Sequence, residues 1–313
     1  MTECALEIEG VTKRYGTFTA VDNLSVRVPA GSIYGFLGPN GAGKTTTLRM
    51  VLEILKPTSG SIQVLGSSSA LDVRDRIGYL PEEKGLYKKM KAWASVAYFA
   101  SLKGMPRKAA ATRAYELLNR YGLGDFADSK VEALSKGMSQ KVQVIGAIAH
   151  DPDFVILDEP FSGLDPVNQQ VMEELILDMA ARGRTVIFST HVMSHAERIC
   201  DRILLIARGQ KAFDGTLDEA RATIPKRVLI GSPDSLEPLK ELPSVLEIRR
   251  VEEVSGGSSL VEVLLGEAGD PQGILQTCIS KGIRLKSFDH TDPTLHDVFV
   301  HLVGDEAREA RAR

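Results

Sequence analysis

The chain has 313 residues, 43% hydrophobic and 25% charged, a composition that excludes disordered and fibrous classes and is expected to fold. Its 38 basic and 41 acidic residues leave a net charge of −3, so no overall electrostatic footprint for nucleic acid or an anionic membrane is present. The three cysteines, Cys4, Cys200 and Cys278, form no CxxC pair, which argues against a disulfide framework or zinc knuckle and for a reducing compartment.

No apolar run approaches the ~18–20 residues of a membrane helix. The Met1-Thr2-Glu3-Cys4 start lacks the layout of a signal peptide. Any dealing with a membrane is therefore expected to pass through a partner. The length favours one large domain with an attachment, or two modest ones.

In chain order, alternating apolar residues at 5–11, 20–28 and 62–65 predict half-buried strands of an antiparallel layer, with Gly31 and Gly60 at turns. Largely apolar runs at 33–37, 154–157, 185–189 and 203–207 predict buried parallel strands, the mark of an α/β core of P-loop type. Strand signals vanish over 85–149, which reads as a helical subdomain carrying helices at 98–102 and 112–121 and broken at Gly122 and Gly124. A turn at Arg208-Gly209 and a short helix at 217–222 close this first domain, residues 1–222.

A second pattern follows over 225–303: strand 227–230, helix 235–241, strands 246–254 and 260–265, helix 271–281 and strand 284–288. That β-α-β-β-α-β order predicts a small α+β domain of ferredoxin-like plan. A last helix at 294–303 and a charged tail at 304–313 complete the chain.

Gly38-Pro39-Asn40-Gly41-Ala42-Gly43-Lys44-Thr45 follows an apolar strand and opens a helix at Thr46-Thr47-Leu48, the context a GxxxxGK(S/T) phosphate loop requires. Its glycines let backbone N–H groups turn toward phosphate oxygens, and the helix start adds a favourable field. Lys44 is placed to reach the outer phosphates and Thr45 to ligate Mg²⁺. The strand 154–157 ends in Asp158 and Glu159, in the order expected of a Mg²⁺-holding carboxylate followed by one that polarises the attacking water.

With Leu134-Ser135-Lys136-Gly137-Met138-Ser139-Gln140 just ahead of that strand, the chain resembles the ABC ATPases over residues 6–220. The resemblance implies ATP and Mg²⁺ as ligands, hydrolysis coupled to transport, and a second cassette, identical or not. It assigns Ser135 and Gly137 to the opposite cassette's nucleotide, Tyr15 to adenine stacking, and Gly163-Leu164-Asp165 to the loop linking the two sites. His191 takes the place of the switch histidine at the γ-phosphate. Glu82 stands where the family usually has a lid Gln and becomes a third candidate metal ligand beside Thr45 and Asp158. Lys136 stands where the commonest form has Gly.

These departures, the appended domain and the ending Asp292-Pro293-Thr294-Leu295-His296-Asp297-Val298-Phe299 are similar to the branch serving ABC-2-type exporters, sodium-efflux-like systems included. That branch implies a separate permease docking beside Glu82, Glu83, Lys84, Gly85, Leu86 and Tyr87, and a peripheral position on the cytoplasmic face of the membrane. The rival reading is a soluble ABC ATPase acting on nucleic acid or the ribosome. Such proteins carry paired cassettes or long coiled-coil arms, and this chain has neither, nor a basic excess. His191 and His195 have the i, i+4 spacing of a helical zinc pair, but no HExxH glutamate or third ligand follows, so zinc is not expected. His150, His290, His296 and His301 are read as surface or packed residues.

Overall fold

The computed structural model describes residues 4–83, 85–254, 258–266, 269–290 and 292–312. The sequence readings on Met1 to Glu3, on Lys84 and on Arg313 lie outside them. The chain divides into two compact units, Met1–Leu217 and Asp218–Arg313.

The first unit opens with β1 (Cys4–Tyr15) and β2 (Phe18–Pro29), a long hairpin that β4 (Ser59–Val64) extends into an antiparallel sheet in the order β2-β1-β4. Between them lie β3 (Ile33–Leu37) and α1 (Lys44–Val51). After β5 (Ile77–Leu80) come three helices, α2 (Ala92–Leu102), α3 (Arg107–Arg120) and α4 (Lys136–Ile148). The unit then alternates through β6 (Phe154–Asp158), α5 (Pro166–Ala181), β7 (Thr185–Thr190), α6 (Met193–Ile199), β8 (Arg202–Ala207) and β9 (Gln210–Gly215).

The six core strands run β5-β6-β7-β3-β8-β9, parallel except for β9. Every residue of β3, β6 and β7 is buried, as expected of a parallel sheet covered on both faces. Tyr34, Phe36, Phe154, Ile156, Ile187 and Leu204 join the inner faces of β1 and β2 in one apolar core that holds α1 in place. Helices α2 to α4 have a separate core rich in small residues, with Ala100, Ala110 and Ala114 fully buried against Leu118 and Ile145, so the helix axes can lie close together.

Two strands were not predicted. β5 is four residues long and carries Gly78, where a Cβ would stand 2.5 Å from the Ala147 carbonyl. β9 has a polar composition, and sequence reading stops at the turn before it.

After α7 (Leu217–Arg221), the second unit comprises β10 (Lys226–Ser232), a short 3-10 helix (Glu237–Glu241), β11 (Val245–Val254), β12 (Ser258–Leu265), α8 (Pro271–Ser280), β13 (Ser287–Asp289) and α9 (Leu295–Ala312). Its sheet is antiparallel throughout, in the order β11-β12-β10-β13, which is the ferredoxin-like arrangement.

Three expectations need correction here. The segment 235–241 forms only a 3-10 turn, because Pro243 disfavours helical backbone at the residue before it, and Leu242 is accordingly extended (ψ 127°), which leaves too few residues for an α-helix. The strand expected over 284–288 is confined to Ser287–Asp289. The charged tail is not separate, since α9 runs on to Ala312 through residues of good helix propensity. Its start is held by a capping box: Asp297 N–H donates to Thr294 Oγ1 (3.2 Å), and Thr294 N–H to Asp297 Oδ2 (3.0 Å).

Candidate active site

The carboxyl ends of β3, β6 and β7 lie side by side in the sheet, and the loops leaving them converge, as ligand sites in parallel α/β sheets do. From β3 the chain passes through Gly38, whose φ of +152° puts any Cβ 2.2 Å from the Ile206 carbonyl oxygen. Only glycine fits there. The loop then wraps around the start of α1, which Gly43 enters in the left-handed region at φ +106°.

A cavity of about 350 Å³ opens over this loop, lined by Asn40, Gly41, Ala42, Gly43, Lys44, Thr45 and Thr46, with Glu159 and Glu82 on one side and Tyr15, Phe18 and Ala20 on the other. Gly38 and Pro39 sit below it, where their carbonyls accept hydrogen bonds from Lys44 Nζ at 2.7 and 3.1 Å. The third side of that ammonium faces Glu159 Oε1 at 3.6 Å. Burial lowers the Lys44 pKa, and the nearby Glu159, Asp158 and Glu82 carboxylates oppose that pull, so the cation sits where an anion is wanted.

Asp158 and Glu159 are both buried. Asp158 Oδ1 accepts from Thr45 Oγ1 (3.1 Å) and from Ser189 Oγ (2.5 Å), and Ser189 Oγ accepts in turn from the Glu159 N–H (2.9 Å). Glu159 has φ +51°, a left-handed conformation that a non-glycine residue keeps only when its surroundings over-determine it. Its carboxylate lies 3.1 Å from His191 Nδ1 through both oxygens. Thr45 and Asp158 meet through a hydrogen bond, and Glu82 lines the same cavity as Thr45; side chains with only oxygen donors suit a hard divalent ion such as Mg²⁺ better than a soft metal.

Tyr15 and Phe18 are cross-strand partners in the β1–β2 hairpin, 48% and 63% exposed at the mouth of the cavity. Lys13 Nζ lies 5.2 Å over the Tyr15 ring. Phe18 and Ala20 escaped sequence reading, because only hairpin register brings them to Tyr15. Ser189 escaped as well, although a buried serine near the end of a largely apolar strand is the kind of residue that orients a neighbour.

Ser135, Gly137 and Asp165 do not line this cavity. Ser135 caps α4, accepting from Met138 N–H at 3.2 Å, and Asp165 caps α5, accepting from Asn168 N–H at 2.9 Å, a bond that lowers its pKa. Lys136 lies against Gly163 of the same chain, its ammonium 1.6 Å from where a Cβ on Gly163 would stand. The two histidines weighed as a zinc pair face different carboxylates, His191 toward Glu159 and His195 toward Glu173.

A P-loop at the carboxyl end of a parallel sheet, with a strand-end Asp-Glu pair beside it and a capped signature helix outside its cavity, defines an ATP-hydrolysing P-loop protein of the ABC type. Residues 21–162 match the family described as ABC transporter, and residues 215–303 match the one described as ATP-binding protein DrrA1-3-like, C-terminal domain. The uncharacterised ABC transporter ATP-binding protein YhaQ of Bacillus subtilis (strain 168) is 39% identical over 300 residues, spanning 96% of this chain and 98% of that one. The Nod factor export ATP-binding protein I of Burkholderia orbicola (strain AU 1054) is 35% identical over 315 residues, spanning 99% and 100%.

Among solved structures, an ATP binding subunit of an ABC transporter aligns with TM-score 0.64 and 30% identity over 70% of this chain and 92% of its own. The cbiO1 subunit from Clostridium perfringens aligns with TM-score 0.64 and 26% identity over 70% and 91%. The chain belongs to the ABC transporter ATP-binding proteins, ATPases whose turnover is coupled to transport.

Proposed function

We propose that this chain is the engine subunit of an exporter: it binds ATP with Mg²⁺, pairs face to face with a second cassette, and drives a separate membrane-spanning permease. The observation that carries the reading is the competition built around Glu159. Lys44 and His191, the two donors that a γ-phosphate attracts, both contact Glu159, at 3.6 and 3.1 Å. An arriving phosphate takes Lys44 and His191 for itself. Glu159 is then free to accept a proton from the attacking water.

The remaining roles follow the same geometry. The adenine stacks on Tyr15 beside Phe18, and the loop N–H groups of residues 38–46 wrap the phosphates. Thr45, Asp158 and Glu82 hold Mg²⁺, which when bound neutralises phosphate charge. Ser135 and Gly137 at the α4 start serve the partner's nucleotide, with Asp165 at the seam, which accounts for their standing outside the cavity of their own chain.

Two facts support a permease partner. No helix among the described residues is long and apolar enough to cross a membrane, and the similar proteins of Burkholderia are named for export. Tyr87, 53% exposed and edge-on to Tyr98 at 5.6 Å, marks the aromatic face on the helical subdomain beside which the permease docks. The chain then works on the cytoplasmic face of the membrane. Isolation of the tagged chain from membranes in mild detergent tests this reading. A multi-span membrane protein recovered in stoichiometric amount is expected, whereas recovery of ribosomal particles or nucleic acid instead would favour the soluble alternative.

A further inference from the structure

Outside the nucleotide cavity the first unit holds a further buried cluster of ionisable groups. His195 on α6 is 3% exposed, and its Nδ1 lies between Glu173 Oε1 on α5 (3.0 Å) and Arg198 Nη2 (2.9 Å). Arg198, one turn further along α6, grips the same carboxylate through Nε (2.9 and 3.1 Å) and Nη2 (2.5 Å). The His195 ring also stacks on Phe161, with centroids 4.1 Å apart and planes 11° from parallel. Phe161 in turn meets Phe188 edge-on at 5.5 Å.

The positions of these groups give the cluster its meaning. Phe161 follows Glu159 by two residues, on the turn that holds Glu159 at φ +51°. Phe188 precedes His191 by three residues and His195 follows it by four. The Phe161 ring is therefore held on its edge and on its face by the two segments that flank His191. A strained backbone persists only where its surroundings fix it, and this stack packs the turn that carries the strained residue.

We propose that His195 is a positioning residue for hydrolysis: anchored by Glu173 and stacked on Phe161, it holds the Glu159 turn in register with the His191 strand end. The inference rests on the hydrolytic role proposed for Glu159. His195 does not line the nucleotide cavity. Its loss misplaces Glu159 relative to the attacking water while leaving the phosphate loop intact, so it acts on turnover and spares binding.

The test uses the full-length chain as His195→Ala, His195→Phe and Phe161→Leu, with the His195→Ala/Phe161→Leu double variant. ATPase kinetics are measured together with direct titration of a fluorescent ATP analogue and thermal melting. His195→Ala is expected to lower kcat roughly tenfold, with KM and nucleotide affinity within about twofold of wild type. His195→Phe keeps the stacked ring and is expected to retain at least about a third of wild-type kcat. Phe161→Leu removes the same stack from its other side, so the double variant is expected to be no worse than the worse single one.

A His195→Ala enzyme with wild-type kcat, a His195→Phe enzyme as impaired as His195→Ala, or fully additive losses in the double variant would each overturn the proposal. So would affinity falling in step with kcat, which marks a merely structural role. Glu159→Gln is run alongside: wild-type turnover in that variant sinks the hydrolytic reading itself, independently of how the His195 variants behave.

Discussion

Replacing Gly38 by Ala puts a methyl group 2.2 Å from the Ile206 carbonyl oxygen and 3.2 Å from the Ala42 Cβ, on a backbone at φ +152°. The obstacle is the backbone of β8, which is paired to β3 on one side and to β9 on the other and cannot step aside as the end of a side chain would. Strain at such a φ costs about 1–3 kcal/mol, and forced overpacking adds about 1–3 kcal/mol. The sum is about 2–6 kcal/mol. Gly41→Ala in the same loop is the control, since at φ +79° its Cβ would meet nothing within 4 Å and only the left-handed penalty of about 1–2 kcal/mol remains.

For a unit of this size each kcal/mol moves the melting midpoint by about 2–4 °C. Gly38→Ala is therefore expected to melt about 4–24 °C below wild type and Gly41→Ala about 2–8 °C below it. The Gly38 variant is also expected to lose nucleotide binding, because the carbonyl that receives Lys44 belongs to Gly38 itself. Differential scanning calorimetry of both proteins decides the matter. Equal losses in the two variants, or a larger loss at Gly41, would refute the claim that the Ile206 carbonyl makes Gly38 obligatory.

Lys44→Ala removes a cation worth about 1.5–3 kcal/mol for each charged hydrogen bond to phosphate, so ATP affinity measured by calorimetry is expected to fall roughly a hundredfold or more; a change under threefold would contradict its placement. Glu82→Ala is expected to raise the Mg²⁺ concentration that half-saturates ATPase activity, and a curve superimposable on wild type would make Glu82 a bystander. In the second unit, Asp234 accepts from Arg284 N, Nε and Nη2 at 2.9, 3.1 and 2.7 Å, which lowers its pKa from 3.8 to about 2. Because the folded value is depressed, the stabilisation is present above pH ~4 and is lost as pH falls toward 2. Carboxyl NMR titration should give that low midpoint, and one near 3.8 would show that the clasp does not form.

What the sequence discloses about the site depends on whether its parts are contiguous. The phosphate loop and the Asp158-Glu159 pair are runs of adjacent residues whose chemistry needs that adjacency, so they can be read from the chain alone. Phe18 is invisible without the β1–β2 register that sets it opposite Tyr15, and Ser189 without the β6–β7 pairing that sets it opposite Asp158. The link of His195 to the Glu159 turn through Phe161 is a packing fact, and no spacing rule foresees an imidazole stacked on that ring.

Fold features divide along the same line. Wholly apolar runs such as 154–157 announce buried parallel strands. β5 is too short to show a period, and its Gly78 owes its presence to the close approach of Ala147 rather than to strand propensity. The extension of α9 to Ala312 was missed because a run of alternating charges reads as solvated tail, although Ala, Glu and Arg are strong helix formers.

The most direct test of the account is the mass of the Glu159→Gln chain in solution with ATP and Mg²⁺, measured by light scattering coupled to gel filtration. If Glu159 activates the water, and if ATP joins two cassettes across Ser135 and the partner's phosphate loop, this variant binds nucleotide, does not turn over, and accumulates at twice 34.0 kDa. A variant that stays at 34.0 kDa under saturating ATP, or hydrolyses ATP at the wild-type rate, contradicts the account.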